Sequence, residues 1–269
     1  MPSVQYTVKN IIAEFLGTMF LIIAAIGSIV LSSQVWGAGI PLSVFINAVA
    51  VGFILFALIE TFGPISGAHF NPAVTLALWL SGETGRKKAI VYIISQLLGA
   101  IVGILMVNII FYDTTQTLFF ISDNDKLTPF TFISETICTF LLVAVIFGCV
   151  RGGSNKTSLA VGLVVGGMII TTSSTMYANP AVNLARIFTD SIAGVTPITA
   201  LVWAIAQIVG ALVASYVMVY LYPVKLSPKT SAIRERPPAP CTAFDCNSNI
   251  PIVNRTGCAP FDCETEKKS

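Results

Sequence analysis

Six stretches of this chain are long and apolar enough to cross a lipid bilayer, and no other feature limits its fold as strongly. They cover residues 11–31, 42–59, 89–112, 131–150, 159–175 and 198–221. A bilayer core needs about 20 such residues per helix, because backbone in hydrocarbon must satisfy its own N–H and C=O groups. Glu14 and Glu135 each interrupt one stretch, and the other four carry no charge. Only 10% of all residues are charged, against about 25% in a soluble domain, which argues against a soluble globular fold. The net charge of +2 offers no field for nucleic acid. A single histidine leaves little room for a His-based metal centre or triad. The first apolar run is too long for a signal h-region and lacks a small-residue cleavage pattern, so it reads as a retained helix.

Six spans put both termini on one side. Lys9, Arg86, Lys87, Lys88, Arg151, Lys156 and the seven basic residues after position 224 share that side, while Lys126 and Arg186 face the other with Asp113, Asp123, Asp125 and Asp190. The excess of Lys and Arg places both termini in the cytoplasm of a multi-pass protein, expected in the cell membrane.

The chain also repeats itself. The run starting Ala13-Glu14-Phe15 matches that starting Ser134-Glu135-Thr136, and Ala50-Val51-Gly52 matches Ala160-Val161-Gly162. Phe70-Asn71-Pro72-Ala73-Val74 matches Ala178-Asn179-Pro180-Ala181-Val182, and Gln96 matches Gln207, in the same order in both halves. Three spans per half is an odd number, so the second half must be inverted relative to the first. Such repeats place a pathway at their interface near the midplane. Two shorter apolar pieces, 71–80 and 179–188, are each about half a span and occupy matching places. They are expected to enter from opposite faces and meet in the middle, where non-helical backbone persists only if it is buried in protein or lines a cavity. The expected organisation is a first repeat over 1–112, a second over 113–224 and a tail over 225–269. Small residues at helix-packing spacing (Ala13 and Gly17, Ala48 and Gly52, Gly99 and Gly103, Gly162 and Gly166, Gly210 and Ala214) are expected to bring helix backbones close together.

Asn is a strong N-cap and Pro suits the first helical position, so Asn71-Pro72-Ala73 and Asn179-Pro180-Ala181 should each start a half-helix. With the cap using the side-chain oxygen, each NH₂ group is left free to donate into a common lumen, and each helix start adds about half a positive charge. A water bound there turns its hydrogens outward toward both mouths, which breaks a proton wire, and the positive helix ends repel cations.

These motifs resemble the major intrinsic protein family, the aquaporins and aquaglyceroporins, over about residues 8–222. The resemblance implies an all-α membrane protein with six transmembrane helices, two re-entrant half-helices and inverted three-helix repeats. It also implies a homotetramer with one pore per subunit, and a structural role for Glu14 and Glu135 in anchoring the loops before the half-helices. By spacing, the family's four gate positions fall on Val51, Met176, Val182 and either Ile169 or Gly167, with Ile169 preferred because the second loop is two residues short. Most family members carry Arg where this chain has Val182, and bacterial members with Val there include some associated with arsenic resistance. Arg186, one turn farther along, either dips toward the lumen or pairs with Asp190, the pairing being favoured. His69 either lines the inner vestibule or simply packs, and Tyr177 lies near enough to narrow the site.

A gate of Val, Ile, Met and Val lacks a fixed cation and an aromatic clamp. Water loses hydrogen bonds in such a ring, whereas a solute with a carbon frame loses less. The expected function is passive passage of small uncharged solutes (glycerol, urea, ammonia, undissociated metalloid acids) together with water. The alternatives are a water-selective pore and a secondary transporter. The spans hold no nucleophile–base pair or metal cluster, so neither a catalytic residue nor a cofactor is expected. The tail reads as mostly disordered. It carries two Cys-x₄-Cys pairs, Cys241 with Cys246 and Cys258 with Cys263. They suit either a thiophilic metal ion or a partner-binding or redox-responsive segment.

Overall fold

The computed structural model describes residues 7–223. Its helices are α1 (Val8–Ile29, continued by a wider turn over Val30–Val35), α2 (Ile40–Ser66), α3 (Pro72–Leu80), α4 (Arg86–Ile110), α5 (Tyr112–Thr115), α6 (Pro129–Arg151), α7 (Thr157–Thr171), α8 (Pro180–Arg186) and α9 (Pro197–Leu221). Four of them, α3, α6, α8 and α9, open on proline. Thr128 and Thr196 cap α6 and α9 by accepting from the amides of Thr131 and Thr199. Asn71 and Asn179 do the same for α3 and α8. In each case the missing proline N–H is one the helix could not have used.

Among the described residues five helices are long and apolar enough to cross a membrane, with mean hydropathies from 2.0 to 2.6. The fifth apolar stretch, expected to run to residue 175, departs from this: α7 stops at Thr171 after 15 residues. The Thr171 and Thr172 hydroxyls donate back to the carbonyls of Gly167 and Met168. A Thr-Thr-Ser-Ser-Thr run starts at the helix end, and its side chains compete with helix bonding. α2 instead continues past residue 59, through Pro64, until Gly67 adopts a left-handed conformation and its amide closes on Gly63 O.

The helices pair as the repeat dictates. α1 lies along α4, α6 along α9, and α2 meets α7 across the two halves. A Cβ added at Gly52 would lie 2.9 Å from Gly162 O, and one at Gly162 would lie 2.6 Å from Gly52 O. This α2–α7 crossing therefore exists only because both residues are glycine. Gly99 faces Phe15 O between α1 and α4, and its counterpart Gly210 faces Thr136 O between α6 and α9. On the face of the termini, Arg151 ties three elements together. It pairs with Glu83 at 2.6 Å, donates to Met218 O and lies over the Phe147 ring. Large apolar side chains such as Phe53, Phe130 and Tyr216 cover the outside, as lipid contact requires.

Candidate functional site

The half-helices α3 and α8 converge in the interior, and the bends that deliver them are built alike. Non-glycine residues rarely adopt positive φ, yet Ala68, Phe70, Thr175, Met176 and Ala178 all do. They fall in register: Ala68 with Met176, Phe70 with Ala178, and Gly67 with Thr175. Each bend is held by a fully buried carboxylate. Glu14 accepts from the amides of His69 (3.0 Å) and Phe70 (2.8 Å), from Ser66 Oγ (2.6 Å) and from Gln96 Nε2 (2.7 Å). Glu135 accepts from the amides of Tyr177 (2.9 Å) and Ala178 (2.8 Å) and from Gln207 Nε2 (2.6 Å). Gln96 and Gln207 reach on to Thr75 and Asn183 of the half-helices. The two glutamines were visible in the repeat, but their place beside the acids became clear only in three dimensions.

At the centre, Asn71 Oδ1 accepts from the amides of Ala73 (2.8 Å) and Val74 (3.4 Å), and Asn179 Oδ1 from that of Ala181 (2.9 Å). The expectation of wholly free NH₂ groups is corrected. Asn71 Nδ2 donates to Ala178 O at 2.7 Å, and Asn179 Nδ2 donates to Phe70 O at 2.9 Å. The positive φ at Phe70 and Ala178 accompanies this exchange, and one hydrogen of each amide remains for the lumen. Pro72, Ala73 and Ala181 are packed in the surrounding core.

One cavity of about 120 Å³ has both asparagines in its wall. Its lining follows aliphatic stripes spaced four apart: Val51, Leu55 and Ile59 on α2; Val161, Val165 and Ile169 on α7; Leu142, Ile146 and Val150 on α6. Beyond Val51 and Ile169, nothing in the sequence singled these stripes out, since aliphatic residues four apart also describe ordinary core packing. Of the gate candidates, Val51, Ile169, Met176 and Val182 all line the cavity. Gly167 is exposed, with nothing within 4 Å of an added Cβ.

His69 also lines the cavity. Its Nδ1 is 3.1 Å from Thr75 Oγ1, and its ring packs edge-on to Tyr92. Tyr177, the matching residue, is not in the wall, which corrects the idea that it narrows the lumen. Its ring stands edge-on to Trp203 and its hydroxyl donates to Ala193 O at 2.8 Å. The favoured pairing of Arg186 with Asp190 is also overturned. Arg186 is 6% exposed and lines the cavity. Its guanidinium lies 3.9 Å over the Tyr177 ring, and Nη1 donates to Ala193 O at 3.2 Å. Val74 and Leu78 occupy the matching positions on α3 and line the other end, so the repeat itself held the signal that position 186 faces inward.

Among the described residues no group of three or more His, Cys, Asp or Glu side chains is placed to hold a metal ion. Cys138 and Cys149 are free thiols. The tail cysteines Cys241, Cys246, Cys258 and Cys263, candidates for either a thiophilic ion or a partner-binding or redox-responsive segment, lie outside the described residues.

Paired half-helices with their asparagines in the wall of an apolar lumen, set among spanning helices, define a membrane channel. The chain belongs to the major intrinsic protein family, whose model matches residues 2–218, and it has the aquaporin fold with inverted repeats. It is similar to aquaglyceroporin AqpS of Rhizobium meliloti (strain 1021), with 35% identity over 230 residues covering 86% of this chain and 95% of the relative. It is also similar to aquaporin Z of Photorhabdus laumondii, with 31% identity over 192 residues covering 66% and 81%. Among solved structures it resembles the X-ray structure of the aquaglyceroporin from Plasmodium falciparum, with a TM-score of 0.65 and 27% identity, covering 78% of this chain and 94% of that one.

Proposed function

We propose that this chain is a passive channel of the glycerol type for small uncharged solutes and water, with Val51, Ile169, Met176 and Val182 as its size filter. The observation that carries the reading is the wall itself. Val51, Ile169, Met176 and Val182 all line the cavity, and the residue after the second Asn-Pro-Ala is Val. An apolar ring costs water its hydrogen bonds and costs a carbon-framed solute less, so glycerol, urea, ammonia and undissociated metalloid acids are the solutes proposed. Asn71 and Asn179 each keep one donor for the passing oxygen, and the two half-helix starts disfavour cations there. His69 lines the vestibule on the face of the termini. Glu14 and Glu135 serve as loop anchors, each already engaged by several donors, which argues against a coupled transporter because neither lines the cavity.

The same reading takes both termini as cytoplasmic, the cell membrane as the location, and a homotetramer with one pore per subunit as the assembly. It takes repeats of 1–112 and 113–224 followed by a tail, and it assigns the protein no chemistry on the solute. Purified protein in liposomes, challenged in turn with glycerol, urea and sucrose gradients, tests the solute class. Glycerol permeability equal to that of empty vesicles removes it. A water-selective pore is the second reading, favoured by the presence of Arg186 in the cavity wall. In that case the sucrose gradient drives water flow while the glycerol response stays at the empty-vesicle level.

A further inference from the structure

We infer that Arg186 is the charge filter of this pore, its guanidinium folded back into the lumen from one helical turn beyond Val182. The inference rests on the solute-channel reading above and adds a second, electrostatic level to it.

The position follows from helix geometry. At 1.5 Å per residue, Val182 lies about 4.5 Å and Arg186 about 10 Å along α8 from Asn179, on one face. Helical side chains lean toward the N-terminus of their helix, so a long side chain at 186 reaches back toward the level of Val182. The contact with Tyr177 shows that it does, because Tyr177 precedes the helix and adjoins the gate residue Met176. The platform is firm. Tyr177 is fixed by Trp203 on one side and by Ala193 O at its hydroxyl.

The charge is not cancelled there. Among the described residues the recorded ion pair is Arg151–Glu83, and what holds Arg186 is a neutral ring and a carbonyl oxygen. Lys126 donates to Ile192 O and lies 3.5 Å from the Tyr177 hydroxyl, which adds a second cation behind the first. The Arg186 Nε–H is buried without a protein partner on a side chain in the cavity wall. Leu78, in the matching place on α3, carries no charge, so the repeat does not reproduce the device at its other end. The pore therefore divides two tasks that a single residue could combine. The guanidinium repels cations, and the aliphatic side chains beneath it set the size limit.

The test measures potassium leak, proton leak and glycerol flux in the same liposomes. Wild-type glycerol flux above empty vesicles tests the underlying reading on its own, whatever the leaks do. Arg186→Leu should raise potassium leak by about tenfold or more while glycerol still passes, and Arg186→Lys should stay near the wild-type leak because it keeps the charge. Combining Arg186→Leu with Val182→Arg should restore cation exclusion and suppress glycerol, since the charge then occupies the narrow level. If the leucine variant does not reconstitute, Arg186→Gln keeps a donor for Ala193 O without the charge and runs the same arm. A neutral variant as cation-tight as wild type overturns the inference.

Discussion

Asn71 and Asn179 are locked to each other's loops: each side-chain nitrogen donates to the carbonyl of the residue that precedes the other, at 2.7 and 2.9 Å. The two repeats are thus joined at the centre by the same residues that cap the two half-helices. Asn71→Ala removes the cap and the cross-link together. The expected loss is about 2 kcal/mol, one part from the cap and one from the buried bond. Thermal unfolding in detergent measures it, and a change smaller than a single bond would mean that Ala178 O finds another donor.

Val182→Arg places a fixed cation and a long side chain in the aliphatic ring. Glycerol permeability should fall by at least about tenfold, equivalent to roughly 1.4 kcal/mol on the barrier, while water flow remains measurable. Stopped-flow light scattering reads both. Unchanged glycerol flux would mean that Val182 is not at the narrowest level.

Glu135→Gln sets an NH₂ group among donors. Two amides and Gln207 converge on the carboxylate, and a neutral amide side chain can accept at only one of its two ends. A destabilisation of about 3 kcal/mol is expected, because buried bonds to a charged acceptor are the stronger kind. Denaturation midpoints of wild type and variant in the same detergent give the difference.

The α2–α7 crossing makes a paired prediction. Gly162→Val would drive side-chain atoms into Gly52 O, and overpacking of this kind costs about 1–3 kcal/mol or more. Gly167→Ala, with nothing near its added methyl group, should be close to neutral. Comparing monodisperse yield and melting temperature of the two variants checks that the close approach lies at Gly162 and not at Gly167.

Outside the spans, Asp125 accepts from the Leu127 amide and from Thr199 Oγ1, and these bonds hold its carboxyl below the usual carboxylate value. A group with a depressed folded-state pKa contributes stability above its unfolded value and loses it as pH falls through the folded one. The stability difference between wild type and Asp125→Asn should therefore be fullest above about pH 4 and shrink below it. A difference independent of pH would mean that the hydrogen-bond geometry, and not the charge, matters.

Much of this was legible in the residues. Apolar runs gave the spans because the bilayer leaves a backbone few choices, and Asn-Pro gave the half-helix starts because capping is local chemistry. The stop of α7 at Thr171 was not foreseen, since a window of apolar and β-branched residues does not reveal when hydroxyls turn back on the helix. The lumen stripes on α2, α6 and α7 were hidden because every face of a spanning helix is apolar, whether it meets lipid, protein or a pore.

Residue order alone was enough to establish a chain that spans a membrane as two inverted halves, with half-helices beginning at Asn71 and Asn179. These features depend on local pattern and on symmetry, both written along the chain. Three outcomes waited for the folded molecule: Arg186 turns to Tyr177 and the cavity rather than to Asp190, Tyr177 stands behind the wall, and the asparagine amides are half engaged. Each of these is a competition between partners drawn from different elements. Residue spacing names the candidates, but only folded geometry sets the distances that choose among them.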